Sequence, residues 1–313
     1  LDRINRWIII LVFSASSATA QDASTFLSEV DSVLTFDDSL SVFTLIDSLL
    51  ELDELTRSEL AVRLAYNSNV LSAGRTLGIE NFGLSPGISY YHKFGFFADV
   101  SAFWSKDFDP SYYLTIASVG YTYTASKKFS LMGGYDRYFY NQSGEDLYIP
   151  YKNDLTITPI LDFKPVTISV NYAFYFGDAT AHRIMPSLMV TLEKRNLKGI
   201  DRIALLPSFY ALMGNEIITE MRYPDTLREY WRRYRQGLPV YDIIEHNEFG
   251  MLNYTFSAPL LVSLKNWNFT FTYNYSIPKA LPGETLTYSE SSFLSGSLTY
   301  FIGLKSAKKT FVK

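Results

Sequence analysis

The chain has 313 residues, no cysteine, 16% aromatic residues and a formal net charge of −4. The missing cysteines exclude disulfides and thiolate metal sites, and the mild acidity argues against nucleic acid as the main partner. Hydrophobic content of 47% with a mean hydropathy of +0.01 suits neither a helical membrane protein nor a disordered chain.

Residues 1–20 read as a secretory signal. Arg3 and Arg6 precede the apolar run of residues 7–13, and Ala18-Thr19-Ala20 offers a small-residue cleavage site before Gln21. That run is far shorter than the roughly twenty residues a spanning helix needs. Residues 21–57 have a different texture. Phe26, Val30, Val33 and Leu34 recur at helical spacing, as do Leu40, Phe43, Ile46 and Leu50, with Asp47, Glu51 and Glu54 on the polar side. Asp38 or Ser39 is placed to cap the second run. The expectation is a short acidic, amphipathic helical segment in the periplasm, with residues 22–56 available to a periplasmic protein partner.

From residue 58 to 306 the period changes to two. In Trp267-Asn268-Phe269-Thr270-Phe271-Thr272-Tyr273-Asn274-Tyr275-Ser276 large rings alternate with small polar groups, so a strand would show rings on one face and amides and hydroxyls on the other. About twelve strands are expected, over 59–71, 84–92, 95–106, 112–124, 129–141, 153–163, 166–177, 182–193, 202–219, 245–264, 267–277 and 292–304. Each is long enough to cross a bilayer at a tilt.

The connections sort by parity. After even strands they are short: Lys93-Phe94, Ser126-Lys127-Lys128, Lys164-Pro165, 195–201 and Lys265-Asn266. After odd strands they run longer, over 72–83, 107–111, 142–152, 220–244 and 278–291, with 178–181 as the exception. A soluble sandwich has no reason to sort its loops this way, whereas outer-membrane barrels do. The fold class expected is therefore all-β membrane: an antiparallel transmembrane β-barrel of about 12 strands, with the short N-terminal helical segment before it and a C-terminal tail over 307–313. Tyr90, Tyr91 and Phe96 fall at one set of strand ends, and Trp104, Tyr113, Tyr138, Tyr140, Phe174 and Phe176 at the other, where aromatic girdles belong.

Charge inside the strands comes next. Arg63, Asp99, Asp162, Arg183 and Glu193 fall on the polar side of the alternation and are the lumen-lining candidates, while the adjacent Asp136 and Arg137 cannot both point inward. Such groups either fill a narrow barrel with ion pairs or form a charged constriction that selects a solute. The connection after the ninth strand predicts a helix over 226–236, capped by Asp225 and ended by Gly237. Its Arg228, Arg232, Arg233 and Arg235, set among Tyr230, Trp231 and Tyr234, suit phosphate or carboxylate. They could contact lipopolysaccharide or an acidic glycan, or the loop could simply fold over the mouth as a packed loop.

Enzymatic signals are sparse. An outer-leaflet lipid hydrolase needs a Ser–His pair, and of His92, His182 and His246 only the last two fall near the expected outer rim. Three scattered histidines offer no metal-ligand spacing, and no cofactor motif is present.

The phrases Arg63-Leu64-Ala65-Tyr66-Asn67-Ser68-Asn69-Val70, Tyr135-Asp136-Arg137-Tyr138-Phe139-Tyr140-Asn141 and Asn171-Tyr172-Ala173-Phe174-Tyr175-Phe176-Gly177 resemble the outer-membrane β-barrel proteins of Bacteroidota, particularly uncharacterised ones with a helical preface. The resemblance covers roughly residues 24–306 and carries no catalytic residues with it. It departs at the end, where Tyr300-Phe301 is followed by further lysines rather than by the chain terminus. The functional expectation is a narrow passive channel for small polar solutes in contact with outer-membrane lipid and lipopolysaccharide. The alternatives are a closed structural or docking barrel and the lipid hydrolase.

Overall fold

A computed structural model describes residues 58–68, 83–106, 110–141, 151–284 and 288–304, with backbone only at 217, 219–221 and 243–245. The expected signal segment 1–20, helical segment 21–57 and tail 307–313 lie outside the described residues.

Fourteen strand segments follow the chain: β1 (Ser58–Asn67), β2 (Gly83–Tyr91), β3 (Phe96–Trp104), β4 (Tyr112–Ser126), β5 (Phe129–Tyr140), β6 (Tyr151–Phe163), β7 (Val166–Gly177), β8 (Thr180–Val190), β9 (Leu192–Leu197), β10 (Ile200–Leu205), β11 (Ser208–Arg222), β12 (Asp242–Leu264), β13 (Trp267–Pro278) and β14 (Ser291–Leu304). Among the described residues there is one helix, α1 (Leu227–Arg235), between β11 and β12. Neighbours along the chain pair antiparallel except at the β8–β9 and β10–β11 breaks, β14 returns to β1, and β11 bonds both β8 and β12, so the sheet closes.

The wall has twelve staves, because β9 prolongs β8 and β10 prolongs β11. Leu192 pairs with Leu205 and Met189 with Ser208, one unbroken register across the interruption. Val190 N–H donates to the Pro207 carbonyl at 2.9 Å inside the gap. Closure leaves no lipid-facing row of unpaired amides, the condition for a sheet to sit in hydrocarbon.

The two faces invert the pattern of a water-soluble protein. On β13, Phe269, Phe271 and Tyr273 are exposed, while Asn268, Asn274 and Ser276 are buried. On β1 the exposed Val62, Leu64 and Tyr66 alternate with the buried Glu59, Ala61 and Arg63. Water would not tolerate so wide a belt of exposed large apolar side chains on a monomer; lipid acyl chains do.

The short connections gather at one rim. Lys93, Lys127, Lys128, Lys164, Lys198 and Lys265 all lie in or beside them, with Lys93 Nζ over the Phe94 ring and Lys128 Nζ over that of Phe163. The turn expected over 195–201 is shorter than that. β9 and β10 continue to Leu197 and Ile200, leaving Lys198-Gly199 as the turn, with positive φ at both residues. Glu193, Lys194 and Arg195 hid this extension, because a ladder beyond the lipid has two wet faces and loses its apolar alternation.

Four of the expected girdle aromatics point inward. Tyr90 and Phe96 are exposed on the outer face, but Tyr91, Tyr113 and Tyr138 are buried, and Tyr140 packs against the interior cluster of Phe103, Ile116 and Tyr138. Tyr91 cannot share a face with Tyr90, and Tyr138 and Tyr140 share the inward parity of Asp136. A second interior cluster joins Ala61, Tyr91, Met132 and Phe301, with Phe97 beside it. Gly120 makes room for Phe97, since a Cβ there would meet the ring Cζ at 2.2 Å and the Gly133 carbonyl oxygen at 2.6 Å.

Candidate functional site

Antiparallel register sets the inner wall. Ser89 pairs with Asp99, Asp99 with Ser118, Ser118 with Asp136, and Asp136 with Asp154. A single row across β2–β6 therefore carries three carboxyl groups at cross-strand spacings of about 5 Å per stave. Its chemistry differs from one end to the other. Asp99 is held by neighbours: Ser101 Oγ donates to its Oδ2 at 2.7 Å, Ser89 Oγ donates to Oδ1, and Arg63 Nη2 stands 3.8 Å away. Arg63 also donates to Ser101 Oγ at 2.7 Å, so it is buried inside a hydrogen-bonded group.

Asp136 and Asp154 face each other and, among the described residues, have no Lys or Arg partner. Tyr138 Oη donates to Asp154 Oδ2 at 3.2 Å, and Asp154 Oδ1 is buried without a hydrogen-bond partner. Asp136 is only half-buried and so fronts the lumen. Arg137 points outward, where it donates to Asn153 Oδ1 at 2.7 Å and covers the Phe139 ring.

The remaining lumen candidates scatter. Asp162 accepts from Thr167 Oγ1 at 3.3 Å near the short-turn rim. Glu193 bridges Arg195 and Arg202 at 3.2 and 2.9 Å on the β9–β10 extension. Arg183 pairs with Glu216 and donates to the Asn215 carbonyl on the far wall. A Cβ on Gly214 would strike Arg183, so the missing side chain there admits the guanidinium. Arg63 and Asp99 thus stand together, while Asp162, Arg183 and Glu193 each lie in a separate group.

Sequence reading missed Asp154 as a site residue and left Asp136 undecided. The strand prediction over 153–163 already contained Asp154. Its parity with Thr156 and Thr158, against the outward Leu155 and Ile157, was the available signal. Replacing Arg63 with methionine should lower stability by about 3–5 kcal/mol, because Asp99 would remain buried without its charge partner. Urea unfolding in detergent micelles measures this.

The β11–β12 ladder rises beyond the wall. β8 last pairs β11 at Gly214, β13 last pairs β12 at Asn253, yet β11 and β12 stay paired to Arg222 and Asp242. A two-stranded ribbon of residues 215–222 against 242–249 therefore projects roughly 26 Å at ~3.3 Å per residue. Leu281 packs against Ile218 and Leu252 at its base.

Helix α1 crowns the ribbon. Its N-cap is Thr226, whose Oγ1 accepts from Glu229 N–H at 3.3 Å, so the expected Asp225 cap is corrected by one residue. Thr226 with Glu229 three positions on is the capping-box spacing, a signal present in the sequence. Gly237 with φ 68° follows the C-cap Gln236. No residue of α1 is buried, which corrects the packed-loop expectation. Arg233 fixes the helix to the ribbon with two hydrogen bonds to Asp242, at 2.6 and 3.0 Å, and pairs with Glu229.

The Arg233 hydrogen bond holds the Asp242 carboxyl below the ordinary carboxylate range, with the guanidinium charge adding to it. A carboxyl lowered in the folded state contributes fully above its unfolded value, and the contribution vanishes as pH falls through the lowered one. The attachment of α1 should therefore hold from neutral pH to about pH 4 and loosen below it. Anisotropy of Trp231, with Trp7, Trp104 and Trp267 replaced by phenylalanine, should stay flat to that point and then drop. It should be low throughout in Asp242→Asn.

His182 and His246 both lie on the side of the barrel away from the short turns. His182 points outward against Phe174 and Tyr172, with Nδ1 2.8 Å from the Tyr172 hydroxyl. His246 lies 3.8 Å from Glu248. Among the described residues neither has a serine hydroxyl partner, and no group of three His, Cys, Asp or Glu residues could hold a metal ion.

No protein-family model matches the chain, and no curated protein matches it. Solved structures to which it is similar include the KdgM porin (TM-score 0.46, 10% identity, covering 77% of this chain and 98% of that one). The NanC porin gives 0.42 at 10% identity, with 77% and 98% covered. OccAB1 of Acinetobacter baumannii gives 0.31 at 8% identity, with 80% and 97% covered.

Proposed function

We propose that this barrel is a narrow passive channel for small polar solutes in the outer membrane of a Gram-negative bacterium, and that it favours cations. The observation that carries the reading is the Asp99–Asp136–Asp154 row, in which the facing Asp136 and Asp154 have no basic partner among the described residues and hold one negative charge between them. Low-dielectric walls focus the field of such a row and raise the local concentration of counter-ions. The short-turn rim with its lysines then faces the periplasm, and the ribbon with α1 faces outward. The likeness of its strand phrases to Bacteroidota barrels belongs to the same proposal, as does a cleaved signal at 1–20.

The test is single-channel recording of purified protein in planar bilayers. Discrete steps are expected, with a reversal potential shifted toward the potassium equilibrium value in a KCl gradient. A second reading, the closed structural or docking barrel, draws support from the interior cluster of Tyr91, Met132 and Phe301, which joins side chains of β2, β5 and β14 across the lumen. Its periplasmic partner would engage residues 22–56. Absence of steps in the intact protein, and again after deletion of those residues, would favour it over the channel. The lipid hydrolase predicts fatty-acid release that His182→Ala and His246→Ala abolish.

A further inference from the structure

We infer that α1 docks on the phosphorylated saccharide headgroups of the outer-leaflet glycolipid surrounding the barrel. Helical geometry divides its side chains cleanly. At 100° per residue, Leu227, Tyr230, Trp231 and Tyr234 fall within one arc, and Arg228, Arg232 and Arg235 fall along one edge of it. Arg233 projects from the other flank, beside Tyr230, where Asp242 and Glu229 hold it. The bidentate attachment therefore turns Leu227, Trp231 and Tyr234 away from the ribbon, with Tyr230 at the boundary. Leu227 is 78% exposed, Trp231 52% and Tyr234 63%. Trp231 stands edge-on to both Tyr230 and Tyr234, a connected ring surface on a helix none of whose residues is buried.

Charge and height select the occupant. Arg228 and Arg235 have no acidic partner among the described residues, and Arg232 shares Glu229 with Arg233. Guanidinium forks match phosphate oxygens in pairs, while exposed Tyr and Trp rings present apolar faces with polar tips, suited to sugar rings as to other amphipathic surfaces. A ribbon of roughly 26 Å carries α1 past the hydrocarbon boundary and into the headgroup layer. Anionic sugars attached to the lipid lie at that level; acyl chains do not. This attachment is independent of whether the lumen conducts.

The experiment uses the full chain with Trp231 as its one tryptophan, reconstituted into phosphatidylcholine vesicles with or without phosphorylated lipopolysaccharide. Lipopolysaccharide should shift Trp231 emission to the blue and protect it from iodide, and the enzymatically dephosphorylated form should not. Each of Arg228→Gln, Arg232→Gln and Arg235→Gln should lower the docked-to-free ratio about fivefold, the factor that corresponds to the interaction of one arginine with an anionic surface. The variants leave the Arg233–Asp242 attachment intact, and Trp231 anisotropy in plain vesicles reports whether α1 is still held. Quenching by brominated acyl chains would overturn the inference, because the helix would then lie at the hydrocarbon edge. Equal response to a soluble acidic polysaccharide in plain vesicles, or no response to lipopolysaccharide at all, would overturn it too.

Discussion

Replacing Phe271 with arginine should destabilise the barrel by about 2–4 kcal/mol, whereas arginine at Thr272, one residue along the same strand, should cost far less. Phe271 lies near the middle of β13 on the exposed face, and Thr272 shares the inward parity of the buried Asn274 and Ser276. A guanidinium among acyl chains loses its hydration with no partner to replace it, so the penalty is largest near the bilayer midplane. On the inner wall the same group lies opposite Ser295 on a face of hydroxyls and amides. Reversible urea unfolding in lipid vesicles measures both variants. Equal penalties would mean that the two faces see the same surroundings.

The second large effect concerns ion selectivity. Asp136→Asn with Asp154→Asn should reduce the cation-to-anion permeability ratio severalfold, the effect of one wall charge in a narrow low-dielectric cleft, since two carboxyls facing each other this closely hold one charge between them. Stability should hold or rise, because Asp154 is buried with one oxygen lacking any partner, and an amide of the same shape carries no charge to desolvate. Arg63→Met is the contrasting case, in which removing one member strands the other. Reversal potentials in a KCl gradient, set beside urea midpoints, separate the two behaviours.

The barrel was legible because lipid imposes a simple rule on sequence. Each stave must turn apolar side chains outward on alternate residues for as long as it is in hydrocarbon, and β13 keeps that rule from Trp267 to Ile277. Loop parity supplied the closure, since a short turn must follow every second stave if both ends are to stay on their own sides. Period two fixes which residues share a face, but it does not say which face a lone aromatic prefers. Tyr91, Tyr113, Tyr138 and Tyr140 therefore went to the girdles in the sequence reading and to the interior in the fold. Nor does it give cross-strand register. Asp99, Asp136 and Asp154 stand 18 to 55 residues apart in sequence, and only the pairing of β3 through β6 places them in one row. The length of β8–β9 and β10–β11 escaped for the same reason in reverse, because the alternation stops where the lipid stops while the hydrogen bonds continue.

The chain has no native cysteine, so single cysteines can be placed at each position from 267 to 277 without background. Labelled in intact vesicles with a membrane-impermeant maleimide, the partly exposed inward positions 270 and 272 should react, the buried 268, 274 and 276 should resist until the barrel is unfolded, and 269, 271, 273 and 275 should react only with a lipid-soluble reagent. Uniform reaction along the stave, or the opposite phase, would contradict a polar, water-reached inner wall enclosed by rings that face lipid.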